Sequence, residues 1–146
     1  QLVAESLGKK GIGILPIISL MPKDNHSLMQ LYLDGPQNNF FTFFYAKGKN
    51  TSKIASSKIL KSHNYLKNKT LDEIKFSQKM ATENVFLKKN IPFRSFEIID
   101  KNEESLGELF CFFILETILL GRALKVNPYD QPSVELIKTE TKKILV

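Results

Sequence analysis

The pattern of hydrophobic and polar positions along this chain predicts strands that alternate with helices. Phe40 to Ala46 is a continuous apolar and aromatic run, which is typical of a strand covered on both faces. Phe93 to Ile99 alternates as a second strand, and between the two a helix runs from about Thr70 to about Lys89. This order predicts an α/β fold class with a largely parallel sheet.

The most apolar part of the chain lies in a long helix predicted from about Leu106 to Val126. It is apolar nearly all round, so we expect it to be buried as the central helix. Cys111 is then a small core residue, and Glu116 needs a structural partner because burying an unpaired charge is costly.

A further helix is predicted to begin at about Gln131, with Asp130 as its N-cap and Pro132 in its first turn. Gln131 and Lys138 are seven residues apart, so on a helix their side chains leave from one face. The opposite face carries an apolar stripe that we expect to face the core, formed by Val134, Ile137, Thr141 and Ile144 or Leu145.

The chain opens on Gln1 to Leu7, which reads as the later part of a helix that Gly8 ends. This opening predicts a fragment whose upstream half is missing. Gln1 and Glu5 are four residues apart, so they are neighbours on one helical face. The glycines and lysines that follow match no phosphate-binding loop and are interpreted as a flexible connection.

A short polar segment after this connection, Asp24 to Ser27, contains a candidate functional histidine. Asp24 or Asn25 is expected to cap the helix that follows, which places His26 in its first turn. A helix N-terminus disfavours a protonated imidazole. Asp34, followed by glycine and proline, ends this helix.

Composition favours one soluble globular domain. The chain has 146 residues, of which 42% are hydrophobic and 25% charged. The longest apolar run, Leu109 to Leu115, is too short to span a bilayer, so we expect a cytoplasmic protein without membrane contact. One cysteine fits a reducing compartment, and because the two histidines lie far apart in sequence we expect no metal site.

The net charge of +6 is concentrated in a lysine-rich stretch, Lys47 to Lys69, that could contact nucleic acid. The neighbouring aromatic residues are contiguous, as in a buried strand, rather than interleaved with the lysines. We therefore favour a solvated connection, with a short helical piece near Ile54 to Leu60, and expect no nucleic-acid partner. A basic surface would also attract an anionic phosphate substrate.

Three segments carry a resemblance to a known family. The turn and helix start from Asn127 onward read Asn-Pro-Tyr-Asp-Gln-Pro-Ser-Val-Glu, with Lys138 three residues later. This stretch resembles the C-terminal signature of glucose-6-phosphate isomerase, in which Phe and Gly stand at the positions of Tyr129 and Ser133. Gln1 to Lys9 resembles the family's catalytic-glutamate segment, and Asp24 to Ser27 resembles the bacterial Asp-Leu-His-Ser segment.

The resemblance implies a fold and a reaction. The fold is a sugar-isomerase (SIS-like) three-layer αβα domain, of which residues 1–146 would be the incomplete C-terminal portion: the second SIS-like domain plus the C-terminal helix. The reaction interconverts glucose 6-phosphate and fructose 6-phosphate by ring opening and enediol proton transfer. Glu5 would be the base, and His26 and Lys138 would together handle protons at the ring oxygen and O1. Gln1 and Gln131 would bind substrate hydroxyls, and no cofactor or metal is needed.

The resemblance also implies a homodimer, in which His26 completes the partner's site. The phosphate-binding loops belong to the family's earlier half, so the fragment alone is expected to be inactive. Two alternatives stay open: a non-catalytic sugar-phosphate-binding domain of the same fold, and a bifunctional phosphoglucose/phosphomannose isomerase.

Overall fold

The computed structural model describes residues 1–48, 52–55 and 60–146. Within them the chain forms α-helices and two β-strands in mixed order, which confirms the predicted α/β class. The elements are α1 Leu2–Leu7, α2 Lys23–Ser27, α3 Met29–Asp34, β1 Phe41–Ala46, a 3-10 helix Lys61–Leu66, α4 Leu71–Lys88, β2 Phe93–Ile98, α5 Glu103–Ala123 and α6 Pro132–Leu145.

The chain divides into two compact units. The first unit combines Gln1–Ile18 with Glu103–Val146, and the second unit is Ser19–Asn102. The first therefore contains α1, α5 and α6, and the second contains both strands with α2, α3 and α4.

In the second unit β1 and β2 pair in parallel, as the sequence predicted. The register places Phe41 opposite Phe93 and Ala46 opposite Ile98. Phe86 of α4 is fully buried against this sheet, with its ring centroid 4.9 Å from that of Phe41. These edge-on aromatic contacts, which also include Phe43 and Phe93, form the core of the unit.

Only one face of β1 is packed in this way. Phe44 stacks on Phe96 of β2, with a centroid distance of 5.4 Å, but its side chain remains 54% exposed. The prediction of a strand covered on both faces is therefore wrong within the described residues. A run of aromatic residues indicates a strand but not which elements will cover it.

Helix α4, Leu71–Lys88, agrees with the helix predicted from about Thr70 to about Lys89. Thr70 is its N-cap, and its hydroxyl accepts a hydrogen bond from the Glu73 backbone N–H at 3.1 Å. The Glu73 carboxylate accepts in return from the Thr70 N–H at 2.7 Å, which completes a capping box. The short helical piece predicted near Ile54–Leu60 falls largely outside the described residues, and the 3-10 helix Lys61–Leu66 follows it.

In the first unit α1 packs against α5. Leu7 at the end of α1 is fully buried, and Thr117 of α5 and Val126 after it are nearly so. Gly8 caps the C-terminal end of α1, as predicted. This small core fixes the end of α1, and with it the residues that precede Gly8.

Two predictions about burial are wrong. Phe110 and Leu119 of α5 are more than half exposed, and Cys111 is exposed rather than part of the core. The apolar stripe of α6 is also exposed, at Val134, Ile137, Thr141, Ile144 and Leu145. An apolar stripe shows which side of a helix avoids water, but burial also needs an element to cover it. Within the described residues, no helix is both long enough and apolar enough to cross a bilayer.

Candidate active site

The candidate site is centred on Glu5, an exposed carboxylate on α1. Gln1 is the N-cap of this helix, and its side-chain amide Nε2 donates to Glu5 Oε1 at 3.0 Å. The structure thus confirms that the two side chains are neighbours, as their spacing of four residues predicted.

A tight reversal after α5 brings the second part of the site back to α1. The Val126 N–H donates to the Gly121 carbonyl and the Lys125 N–H to the Arg122 carbonyl, with Lys125 at φ +56°. This pattern is a Schellman motif, which turns the chain sharply at a helix end. Pro128 then lies so close to Gly121 that a Cβ at this glycine would be 3.1 Å from the proline ring.

The turn that follows carries an ion pair to α1. The Lys9 ammonium lies 2.9 Å from Asp130 Oδ1, and the Lys9 side chain is only 8% exposed. The hydrogen bond from Lys9 lowers the pKa of Asp130. Sequence reasoning missed this contact, because Lys9 was interpreted as part of a flexible connection.

Gln131 reaches Glu5 from this turn. Its amide Nε2 donates to Glu5 Oε2 at 3.2 Å, so each carboxylate oxygen accepts one amide, the other from Gln1. Pro132 opens α6, as predicted, but the N-cap is Gln131 rather than Asp130. The expected N-cap is wrong because the Asp130 carboxylate is paired with Lys9 instead.

Lys138 is not drawn into this cluster. Gln131 has φ −139° and is the N-cap of α6 rather than a residue of the helix itself. The Lys138 ammonium bonds to the Glu135 carboxylate at 2.6 Å, and both side chains are about two-thirds exposed.

His26 is described in the second unit, whereas Glu5 belongs to the first. It lies in the last turn of α2, so its predicted position in the first turn of a helix is wrong. The helix begins earlier than expected, at Lys23, and the Asp24 carboxylate accepts from the Leu20 N–H at 2.6 Å before it. The next helix, α3, starts only at Met29. His26 is an exposed residue.

Comparison with known proteins gives these residues a context. The chain is 38% identical to the glucose-6-phosphate isomerase of Mycoplasmopsis pulmonis and 36% identical to that of Campylobacter jejuni, each across 99% of this chain. It is 33% identical to the enzyme of Methanocaldococcus jannaschii, again across 99% of the chain.

The chain belongs to the glucose-6-phosphate isomerase family. It spans about a third of the length of these curated relatives, between 34% and 37%. No family model matches it. A solved structure of a hypothetical protein from Thermus thermophilus superposes on 99% of this chain and 36% of its own, with a TM-score of 0.88 and 28% identity.

Within this family context, the predicted site residues fall into two groups. Gln1, Glu5 and Gln131 are joined by hydrogen bonds, and Lys138 and His26 are each described outside that cluster. In the part of the chain that the structure describes, no three His, Cys, Asp or Glu side chains come together as potential metal ligands. The chemistry that the cluster itself offers is that of a carboxylate held by two neutral amides.

Proposed function

We propose that this chain supplies part of the active site of an aldose-ketose isomerase that interconverts glucose 6-phosphate and fructose 6-phosphate. The observation that supports this most strongly is the Glu5 carboxylate, exposed and held through one oxygen by Gln1 and through the other by Gln131. The names of the relatives supply the reaction, and the cluster supplies a suitable base.

Glu5 is the proposed base for proton transfer between C2 and C1 of the open-chain sugar. An ionised carboxylate offers about four lone-pair sites, and one amide on each oxygen leaves sites available for a substrate proton. Removal of the C2 proton leaves the C–H electron pair to form the C1–C2 double bond, while the carbonyl oxygen O1 gains a proton. The enediol then loses the proton from O2, the C2 carbonyl forms, and Glu5 returns its proton to C1.

Lys138 and His26 are proposed to move the protons at the ring oxygen and at O1. The present bond from Lys138 to Glu135 is an exposed surface pair, and such pairs are worth about 1 kcal/mol or less. The ammonium can therefore exchange Glu135 for a substrate oxygen at little cost. The exposed position of His26 leaves its imidazole accessible to a second molecule.

This function requires more than the present 146 residues. We propose that they form the C-terminal portion of the isomerase, the second three-layer αβα domain of sugar-isomerase type plus the C-terminal helix. The complete protein would be a cytoplasmic homodimer in which His26 completes the partner's site. Phosphate-binding loops would come from the other portion of the polypeptide, so the isolated chain is expected to be inactive.

The experiment compares Glu5→Gln with Glu140→Gln in the complete isomerase. Glu140 is an exposed carboxylate of α6 paired with Lys143, so its variant controls for the loss of one negative charge. Proton exchange between the sugar and deuterated water, followed by NMR, measures the step at C1 and C2. We expect Glu5→Gln to slow it by about 10²- to 10⁴-fold, because general-base catalysis contributes that much.

Binding of an unreactive sugar-phosphate analogue should be retained in Glu5→Gln, and Glu140→Gln should behave as the native enzyme. Near-normal turnover by Glu5→Gln would refute the assignment of the base. A native protein that binds the sugar phosphate without turnover would favour the non-catalytic alternative. Turnover of mannose 6-phosphate as well would favour the bifunctional one.

A further inference from the structure

Lys9 is a buried cation whose hydrogen-bonding capacity is fully used. Its ammonium donates to the Ser6 carbonyl at 3.0 Å and to the Asn127 carbonyl, and it pairs with Asp130 Oδ1 at 2.9 Å. An ammonium has three donors, and these three acceptors match them. With the Lys9 side chain only 8% exposed, this charge is compensated inside the protein rather than by water.

Two of the three acceptors lie next to the proposed site in sequence. Ser6 directly follows Glu5, and Asp130 directly precedes Gln131. The ammonium therefore joins the end of α1 to the turn before α6 at positions adjacent to the carboxylate and its amide. The hydrogen bond of 3.2 Å between Gln131 and Glu5 spans the same two segments.

The two contacts differ in how firmly they hold. The Gln131 to Glu5 bond joins a neutral amide to a carboxylate, and both residues are exposed. The Lys9 contact is charged and buried on the lysine side. The Lys9 ammonium binds the turn at both Asn127 and Asp130, whereas Gln131 makes one exposed bond to Glu5, so Lys9 is the contact that fixes the distance between the segments.

We propose that Lys9 is a positioning residue of the isomerase: its ammonium clamps the Asn127 to Asp130 turn onto α1 and thereby holds the Gln131 amide on the Glu5 carboxylate. The inference rests on the proposed function for its effect on turnover, but the geometry it predicts can be measured without any activity. Lys9 itself does not touch the reacting atoms in this assignment.

The first experiment measures turnover of Lys9→Met in the complete isomerase, with Lys10→Met as the matched control. Lys10 is the adjacent lysine and is exposed. We expect kcat of Lys9→Met to fall by up to about tenfold, which is the loss expected when the Gln131 amide no longer orients the Glu5 carboxylate. KM should change by less than about threefold, since the substrate phosphate contacts are untouched. Lys10→Met should match the native enzyme.

A double-mutant cycle separates positioning from a general loss of structure. If Lys9 acts through Gln131, then Gln131→Ala should lower kcat in the native background but have little further effect in Lys9→Met. Equal effects of Gln131→Ala in both backgrounds would overturn the proposal. So would a Lys9→Met enzyme with native kcat.

Asp130→Ala provides a second variant in case Lys9→Met does not fold. The Asp130 side chain is 54% exposed, so its removal leaves the core intact while the clamp loses its carboxylate. Crystal structures of either variant should show Gln131 Nε2 and Glu5 Oε2 more than about 4 Å apart, beyond hydrogen-bonding range. An unchanged distance would overturn the proposal, whereas a lengthened one in a protein without isomerase activity would refute only the proposed function.

Discussion

The Gln131 amide donates to Glu5 Oε2 at 3.2 Å although 126 residues separate the two along the chain. Together with the amide of Gln1 on Oε1, it orients the plane of the carboxylate. The proposed base is therefore held by one neighbour in sequence and by one that only folding supplies.

Gln131→Ala removes the second of these amides. We expect kcat to fall about tenfold, since the carboxylate can then rotate away from the sugar carbon that it must reach. Gln37→Ala is the control, because the Gln37 amide bonds to the nearby Gly35 carbonyl in an exposed loop. Steady-state kinetics of both variants provide the measurement, and equal kcat values would contradict this role of Gln131.

Lys138→Met tests whether the exposed lysine of α6 reaches the substrate. Lys143 on the same helix is a close match, because both ammonium groups lie 2.6 Å from a carboxylate three residues earlier and both side chains are 66% exposed. We expect Lys138→Met to lower kcat by about 10²-fold, in the range of acid-base contributions, and Lys143→Met to have no effect. Similar kinetics for the two variants would remove Lys138 from the site.

Two glycines of α5 allow a matched test of the turn. A Cβ at Gly121 would lie 3.1 Å from the Pro128 ring, whereas a Cβ at Gly107 would meet nothing within 4 Å. In Gly121→Ala overpacking costs about 1–3 kcal/mol and outweighs the gain of about 0.5–1 kcal/mol from alanine in a helix, so the free energy of unfolding should fall by about 1 kcal/mol. Gly107→Ala should raise it by about 0.5–1 kcal/mol, because alanine suits a helix interior better. Urea unfolding of both variants would show whether the two effects have opposite signs.

Acid should destabilise the protein through carboxylates whose partners hold them ionised. The hydrogen bond from Lys89 lowers the pKa of Asp34, and the Thr70 N–H lowers the pKa of Glu73. A lowered pKa in the folded state contributes stability that is present above the ordinary carboxyl value, about 4, and is lost as pH falls through the folded value. We therefore expect the free energy of unfolding to decline below about pH 4.

Urea unfolding at pH 6 and pH 3 measures this decline. Asp34→Asn and Lys89→Met each remove one partner of an ion pair whose atoms lie 2.6 Å apart. Both variants should therefore reduce the loss of unfolding free energy between pH 6 and pH 3 by a similar amount. A decline as steep as that of the native protein in both variants would show that this pair contributes nothing to acid sensitivity.

Much of the local structure could be predicted because its signals lie within a few residues of one another. Thr70 and Glu73 form their capping box at a separation of three, and Gly8 ends α1. The aromatic run of β1 and the alternation of β2 give the strands, and the spacing of Gln1 and Glu5 gives their hydrogen bond. The motif around Gln131 pointed to the family that the relatives confirm.

The rest depended on contacts that sequence spacing does not encode. Nothing near Lys9 in sequence indicates that Asp130 binds its ammonium, and the local pattern instead predicts Asp130 as an N-cap and Lys9 as part of a loop. His26 lies later in its helix than predicted because α2 starts at Lys23 after Pro22, and neither Asp24 nor Asn25 is its N-cap. The apolar residues of α5 marked a side of the helix, but burial depends on what packs there.

The division of the chain into units has a consequence for how the protein is made. The first unit is assembled from Gln1–Ile18 and Glu103–Val146, with the whole second unit encoded between them. During synthesis Glu5 and Lys9 leave the ribosome long before their partners Gln131 and Asp130. The two paired strands, in contrast, are complete by Ile98. The second unit can therefore begin to fold on the nascent chain, while the carboxylate gains its distant amide only after Gln131 has been synthesised.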